Sequence, residues 1–399
     1  MPKAVVFLGD GMADEAIPEL GGKTPLEAVD TPAMDSIAAQ GISGTFLTLP
    51  PDLPTSSDVA NMSVLGFYPE ENYPGRGPIE ALSQGIQLAP DDVAWRCNLV
   101  TVDADGVLRD YSAGHIENAV STRLLNLLEE KLGSDKVTFY PGVSYRNLLV
   151  LHGKEFSAEV DYFKPDSSQD LPVAELPLTA KTPEAEATVA FLEELGRKAR
   201  EVLANADVES AATDIWPWSP GHAPALKTFE ERYAGKRGAI ISAVDVIRGL
   251  GRASGMTVAD VPGATGFLDT NYAGKVEAAL QMLKTHDLVY VHVEAVDECS
   301  HMGDLQLKMQ AIKAFDEKIV APILDALNGQ DVNFAVLPDH PVPIKLRQHT
   351  VTPVPVALCG PSFAADGETS FGERAALRGS LGFRRGDELV KLLLGLKTL

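Results

Sequence analysis

Short apolar runs that stop abruptly at polar residues punctuate this chain: Ala4–Leu8 before Gly9-Asp10, Leu288–Val291 before His292, and Phe334–Leu337 before Pro338-Asp339. Runs this short, rich in β-branched residues, predict strands buried on both faces, as in a mostly parallel sheet. Between the last two, Leu305, Met309, Ile312, Phe315, Ile319, Ile323 and Leu327 recur at three- and four-residue steps. That period predicts one amphipathic helix returning the chain from strand to strand, a βαβ unit and so an α/β fold. Ligands of open parallel sheets gather beyond the carboxyl ends of the strands. Asp10, Asp297 and Asp339 all fall at or just past such ends.

The middle of the chain reads differently. A strand is predicted at Trp95–Val102, then the turn Asp103-Ala-Asp-Gly106, a helix around Val120–Leu132 and a strand around Asn147–Leu151. A Pro-, Ser- and Asp-rich loop from Phe163 to Pro177 precedes a further helix around Pro183–Leu203. This pattern predicts an inserted α+β domain over 86–235, roughly 150 residues and therefore domain-sized. It divides the sheet-forming core into 1–85 and 236–399.

With 399 residues, 45% hydrophobic and 23% charged, the chain has ample material for a large core. The formal net charge of −22 gives no electrostatic footprint for nucleic acid or acidic lipid, so any anionic substrate needs local basic groups or metals. Cys97, Cys299 and Cys359 form no CxxC pair, which argues against a disulfide framework and a structural zinc site and for reduced thiols. The Ala4–Leu8 run is too short for a signal peptide, and no stretch of eighteen apolar residues occurs. A soluble, cytoplasmic protein is expected.

Asp297 and His301 lie four residues apart, so in a helix both face one way. Asp339-His340 forms a second pair, with His349 nine residues on. Taken singly, a strand-end Asp is more often a helix cap and a lone His a hydrogen-bonded loop residue. Clustered, and with Asp10 at the end of the first strand, they suit divalent metals that accept oxygen and nitrogen ligands, such as Mn²⁺ or Zn²⁺. Thr55-Ser56-Ser57-Asp58-Val59-Ala60-Asn61 follows the breaker-rich Leu49–Pro54 segment and precedes apolar Met62, Val64 and Leu65. A hydroxyl opening a helix sits among backbone N–H groups that favour negative charge, although either serine would also serve as a plain cap.

Gly9-Asp10-Gly11-Met12, Gly22-Lys-Thr-Pro25, Thr31-Pro32, Met34-Asp35, Ser57-Asp58, Gly75-Arg-Gly-Pro78 and Glu80-Ala-Leu82 precede Asp297, His301, Asp339-His340 and His349. In this order, over nearly the whole chain, they resemble archaeal-type cofactor-independent phosphoglycerate mutases of the alkaline phosphatase superfamily. The resemblance implies an alkaline-phosphatase-like, mostly parallel sheet flanked by helices and two divalent metals, Mn²⁺ foremost, with Zn²⁺, Mg²⁺ or Co²⁺ as alternatives. Asp297, His301 and His349 would hold one metal; Asp10, Ser57, Asp339 and His340 the other. Ser57 rather than Ser56 would be the nucleophile, since its acidic successor matches the family motif. A phosphoserine would return its group to the other hydroxyl of glycerate, with no diffusible 2,3-bisphosphoglycerate.

Arg96 in Trp95-Arg-Cys-Asn98 and Arg146 in Gly142-Val-Ser-Tyr-Arg146 look like family motifs suited to phosphate and carboxylate, since guanidinium forks bind oxyanions in pairs. They lie in the predicted insertion, which would cap phosphoglycerate as the substrate. His115 is a candidate proton carrier there, with a plain surface His as the competing reading.

Two stretches depart from the archaeal pattern, Trp216-Pro-Trp-Ser-Pro-Gly-His222 and Leu337-Pro-Asp-His-Pro-Val-Pro343. They resemble a bacterial branch labelled a proposed homoserine kinase. A kinase needs a nucleotide, yet no GxxxxGK[ST] loop exists: Gly22-Lys23-Thr24 has Ile17 at the required upstream position. The mutase is therefore preferred. A homoserine kinase-like phosphotransferase, a phosphomonoesterase or phosphodiesterase, and a non-catalytic metal-binding module are the alternatives in falling order.

Overall fold

The computed structural model describes residues 2–399. Eight strands form the main sheet, in the order Thr257–Ala259, Gly238–Ile241, Leu288–Val293, Lys3–Gly9, Val332–Leu337, Val354–Cys359, Ile42–Leu47 and Gly382–Arg385. Seven run parallel; only Val354–Cys359 is antiparallel to its neighbours. The fold is thus α/β, a mostly parallel sheet flanked by helices, as the apolar runs predict. The three predicted strands are adjacent in the middle of the sheet, buried along almost their whole length because helices cover both faces.

The helix predicted over 305–327 forms, with a defect. It runs as Leu305–Phe315, a π-turn over Asp316–Val320, and Ala321–Ala326. Pro322 has no N–H for a carbonyl in the preceding turn, which favours a local change of hydrogen-bonding register there. Asp316 exploits the position, its carboxylate accepting the N–H groups of Ala33 and Met34 at 3.2 and 2.7 Å at the start of helix Pro32–Ala39. Ile312, Phe315, Ile319 and Ile323 are fully buried in the main core, as the period requires.

Two compact units result: one comprises the chain up to Tyr73 and Leu226–Leu399, the other Pro74–Ala225. The composition pattern predicts the corresponding edges at 86 and 235. Within Pro74–Ala225, strand Val93–Val102 pairs antiparallel with Arg146–Leu151, Asp214–Gly221 and Leu108–Asp110, and Val137–Val143 extends the sheet beyond Arg146–Leu151. Helices Asn118–Leu132 and Glu186–Ala204 contribute Leu124, Leu125, Leu128, Leu192 and Leu195 to a core with Trp95, Cys97, Leu149 and Leu151. Among the described residues no helix is long and apolar enough to cross a membrane, and all three cysteines are free and buried.

Candidate active site

Strand register brings the candidate residues together. Gly9 pairs with Val293, and Leu8 with Leu337, so three adjacent parallel strands end at one level and release Asp10, Ala295–His301 and Asp339-His340 into the same space. Gly11 makes the first turn possible. Its φ of +66° lies in the left-handed region, and a Cβ there would come within 2.8 Å of the Asp297 Cα. Its N–H donates to Asp339 Oδ1 at 3.1 Å.

Two groups of potential ligands follow, Asp297 with His340 and His349, and Asp10 with Asp339 and His340. His340 belongs to both. Its Nε2 lies 3.4 Å from Asp10 Oδ1 and 3.4 Å from Asp339 Oδ2, and its ring stacks on His349 at 3.8 Å between centroids. His301 and His349 present Nε2 to Asp297 at 3.3 and 3.4 Å and to each other at 2.9 Å. The helix Ala295–His301 supplies the four-residue spacing that turns Asp297 and His301 to one side. The Arg347 carbonyl receives the His301 Nδ1 hydrogen at 2.9 Å, which orients the ring with Nε2 toward Asp297.

Ser57 Oγ is 3.1 Å from His340 Nε2, so it joins the cluster from the first turn of helix Ser57–Val64. Neither serine caps that helix through its side chain: Ser56 occupies the cap position without such a bond, and its Oγ instead turns toward Pro54 O at 3.5 Å. One turn beyond Ser57, buried Asn61 donates to Ser57 O at 2.7 Å and to Asp339 Oδ2 at 2.9 Å, and accepts from the Tyr290 hydroxyl.

Three carboxylates in so small and dry a space cannot all ionise freely. Burial raises the pKa of Asp10 well above the ordinary value, and the charges of Asp339 and Asp297 push it further. Burial also raises Asp339. It opposes ionisation of Asp297 too, but the imidazoles of His301 and His349 prevail and hold that carboxyl well below the usual range. Burial lowers His301, yet the hydrogen bond and charge of Asp297 outweigh it and lift the imidazole to about 9. Asp10 Oδ1 and Asp297 Oδ1 are buried with no hydrogen-bond partner. Unsatisfied carboxylate oxygens facing clustered imidazole nitrogens form a donor set that fits divalent cations.

The candidates outside this cluster lie in the Pro74–Ala225 unit. Arg96 is buried, paired with Glu80, which also takes Arg76 Nε at 2.6 Å, and its guanidinium lies 5.1 Å from the Trp218 ring. Its Nε has no partner. Arg146 is exposed, 5.5 Å over the Tyr145 ring, and exposed His115 packs edge-on against the same tyrosine.

Asn61, Tyr290 and His292 join the site without being among the residues that the sequence pattern predicts for it. Asn61 carried a signal, its four-residue spacing from Ser57. His292, fully buried at the end of its strand, has Nε2 3.1 Å from Asp10 Oδ2 and Nδ1 3.1 Å from Ser242 Oγ. Burial depresses it to about 3, so it is a neutral donor that orients Asp10.

The sequence profile of a family described as 2,3-bisphosphoglycerate-independent phosphoglycerate mutase matches residues 38–209. A protein of that name from Methanosarcina acetivorans is 46% identical over 98% of this chain and 99% of its own length. A probable one from Geobacter sulfurreducens is 41% identical over 98% and 99%. Among solved structures, a Pyrococcus horikoshii protein superposes with a TM-score of 0.82 at 28% identity, covering 99% of this chain and 97% of that one. The cofactor-independent phosphoglycerate mutase of Thermoplasma acidophilum gives 0.65 at 26%, covering 99% of both.

Proposed function

This chain belongs to the 2,3-bisphosphoglycerate-independent phosphoglycerate mutase family, and from that premise we propose that it interconverts 3-phosphoglycerate and 2-phosphoglycerate through a phosphoserine on Ser57. The observation that carries the reading is the position of Ser57 Oγ, 3.1 Å from Nε2 of His340, the residue common to both ligand groups. Asp297, His301 and His349 would hold one divalent metal, and Asp10, Ser57, Asp339 and His340 the other. Such metals, when bound, supply positive charge that eases ionisation of a hydroxyl and stabilises the oxygens of a transferring phosphoryl group.

The chain's own residues do the rest. Ser57 attacks phosphorus, forming its Oγ–P bond as the bond to the C3 oxygen of phosphoglycerate breaks; the serine proton is balanced by the one taken up at the released oxygen. The 2-hydroxyl of the retained glycerate then attacks the phosphoserine, which restores Ser57 and needs neither water nor nucleotide. Arg96 and Arg146, with His115 as a proton carrier, are the proposed substrate-binding groups of the Pro74–Ala225 unit, which would act as the cap. Backbone N–H groups in the first helical turn favour the negative charge that Ser57 acquires.

Purified protein given Mn²⁺ and 3-phosphoglycerate without nucleotide should produce 2-phosphoglycerate, read by coupling to enolase. No signal there, with O-phosphohomoserine formed from ATP and homoserine, would replace the mutase by the kinase. Release of inorganic phosphate alone would indicate a phosphatase.

A further inference from the structure

Lys308 lies in helix Leu305–Phe315, seven residues beyond His301, and is completely buried. Its ammonium has three hydrogens and finds three acceptors: Asp14 Oδ2 at 2.7 Å, Val342 O at 2.9 Å and Ala13 O at 3.3 Å. Ala13 and Asp14 belong to the loop that begins with Asp10; Val342 follows Asp339 and His340 by three and two residues. Asp14 ties the second loop again, its Oδ2 accepting the Ile344 N–H at 3.1 Å, while Val342 N donates to Ala13 O at 3.1 Å. One ammonium thus joins the loop of Asp10, the loop of Asp339-His340, and the helix that follows Asp297 and His301.

A buried ion pair is a poor source of net stability, because desolvation offsets most of the attraction and a matched apolar pair often serves as well. Its directional bonds, by contrast, set where three chain segments lie. We propose that Lys308, with Asp14, is a positioning residue that sets the spacing of the metal-binding groups without touching a metal; this rests on the metal reading of the site given above.

The test is Mn²⁺ binding by titration calorimetry on the full chain, with thermal unfolding in chelator as an independent measure of stability. Lys308→Met should weaken Mn²⁺ binding about 10- to 100-fold, the usual range for groups that orient ligands, but it also strands a buried carboxylate. Asp14→Asn/Lys308→Met removes that charge while keeping an acceptor for Ile344 N–H. If positioning is the role, the double variant regains much of the metal-free melting temperature while Mn²⁺ affinity stays at least tenfold low. Recovery of wild-type affinity along with stability would overturn the proposal, leaving Lys308 a structural residue. Wild-type protein that binds no Mn²⁺ would instead overturn the metal reading beneath it.

Discussion

Replacing Asn61 by leucine, which has the same branching and number of heavy atoms, removes a polar hub without opening a cavity. The Tyr290 hydroxyl, in a fully buried residue, donates to Asn61 Oδ1. Burial raises the phenol's pKa well above its usual value, with Asp339 and Asp10 adding to the effect, so the group stays a neutral donor. In Asn61→Leu it is stranded, at about 1–3 kcal/mol. Asp339 Oδ2 loses its 2.9 Å amide donor, a bond to a charged group worth about 1.5–3 kcal/mol. The bond to Ser57 O is local to the helix and adds little. Together these give about 2.5–6 kcal/mol, to be measured as the loss in unfolding free energy by urea titration with metal chelated. A cycle with Tyr290→Phe separates the parts: once the leucine is present, removing the hydroxyl should restore about 1–2 kcal/mol, a coupling typical of contacting residues. A loss under 1 kcal/mol, or strictly additive single effects, would show that the hub holds nothing.

Four further outcomes are expected. Ser57→Ala should lower turnover by several orders of magnitude, and mass spectrometry of quenched wild type should find phosphate on Ser57 and not on Ser56; near-normal turnover of the alanine variant rejects the covalent route. Asp297→Ala or His301→Ala should each reduce bound metal from two ions toward one by elemental analysis, and Mn²⁺ affinity of the wild type should rise with pH up to about 9. The sign follows because metal-free His301 carries a proton below about 9 and must release it to coordinate; affinity that is flat from pH 7 to 9 contradicts this. Gly11→Ala should abolish metal binding in whatever fraction folds, since a methyl at a φ of +66° and 2.8 Å from the Asp297 Cα must displace either the Gly11 turn or the helix that carries Asp297; calorimetry showing wild-type affinity refutes it.

The central strands were legible because a strand buried on both faces must be apolar throughout, and the residues ending such runs stand out against it. Asp10 and Asp339 were visible for that reason, Asp297 and His301 through their helical spacing, and Ser56 and Ser57 as candidate hydroxyls through the breaker-rich segment ahead of their helix, with Ser57 singled out only by the family motif. Each is a local pattern. The helix over 305–327 was visible too, but its apolar period gives no sign of the π-turn, nor of Asp316 there receiving N–H groups from residues nearly three hundred positions away.

What the chain's order alone determined is therefore which residues could bind metal and which segments would carry them. Their gathering into one site depends on register: Gly9 opposite Val293 and Leu8 opposite Leu337 bring together residues far apart in the chain. The supporting groups were decided wholly at that level. Lys308 sits beside Met309 on a helix whose period marks only the apolar neighbour, Tyr290 reads as a member of a buried strand, and His292 reads only as the polar residue that ends it. A polar side chain can remain in a dry interior only where partners satisfy it, and for these residues every such partner comes from a distant segment that only the folded structure brings within reach.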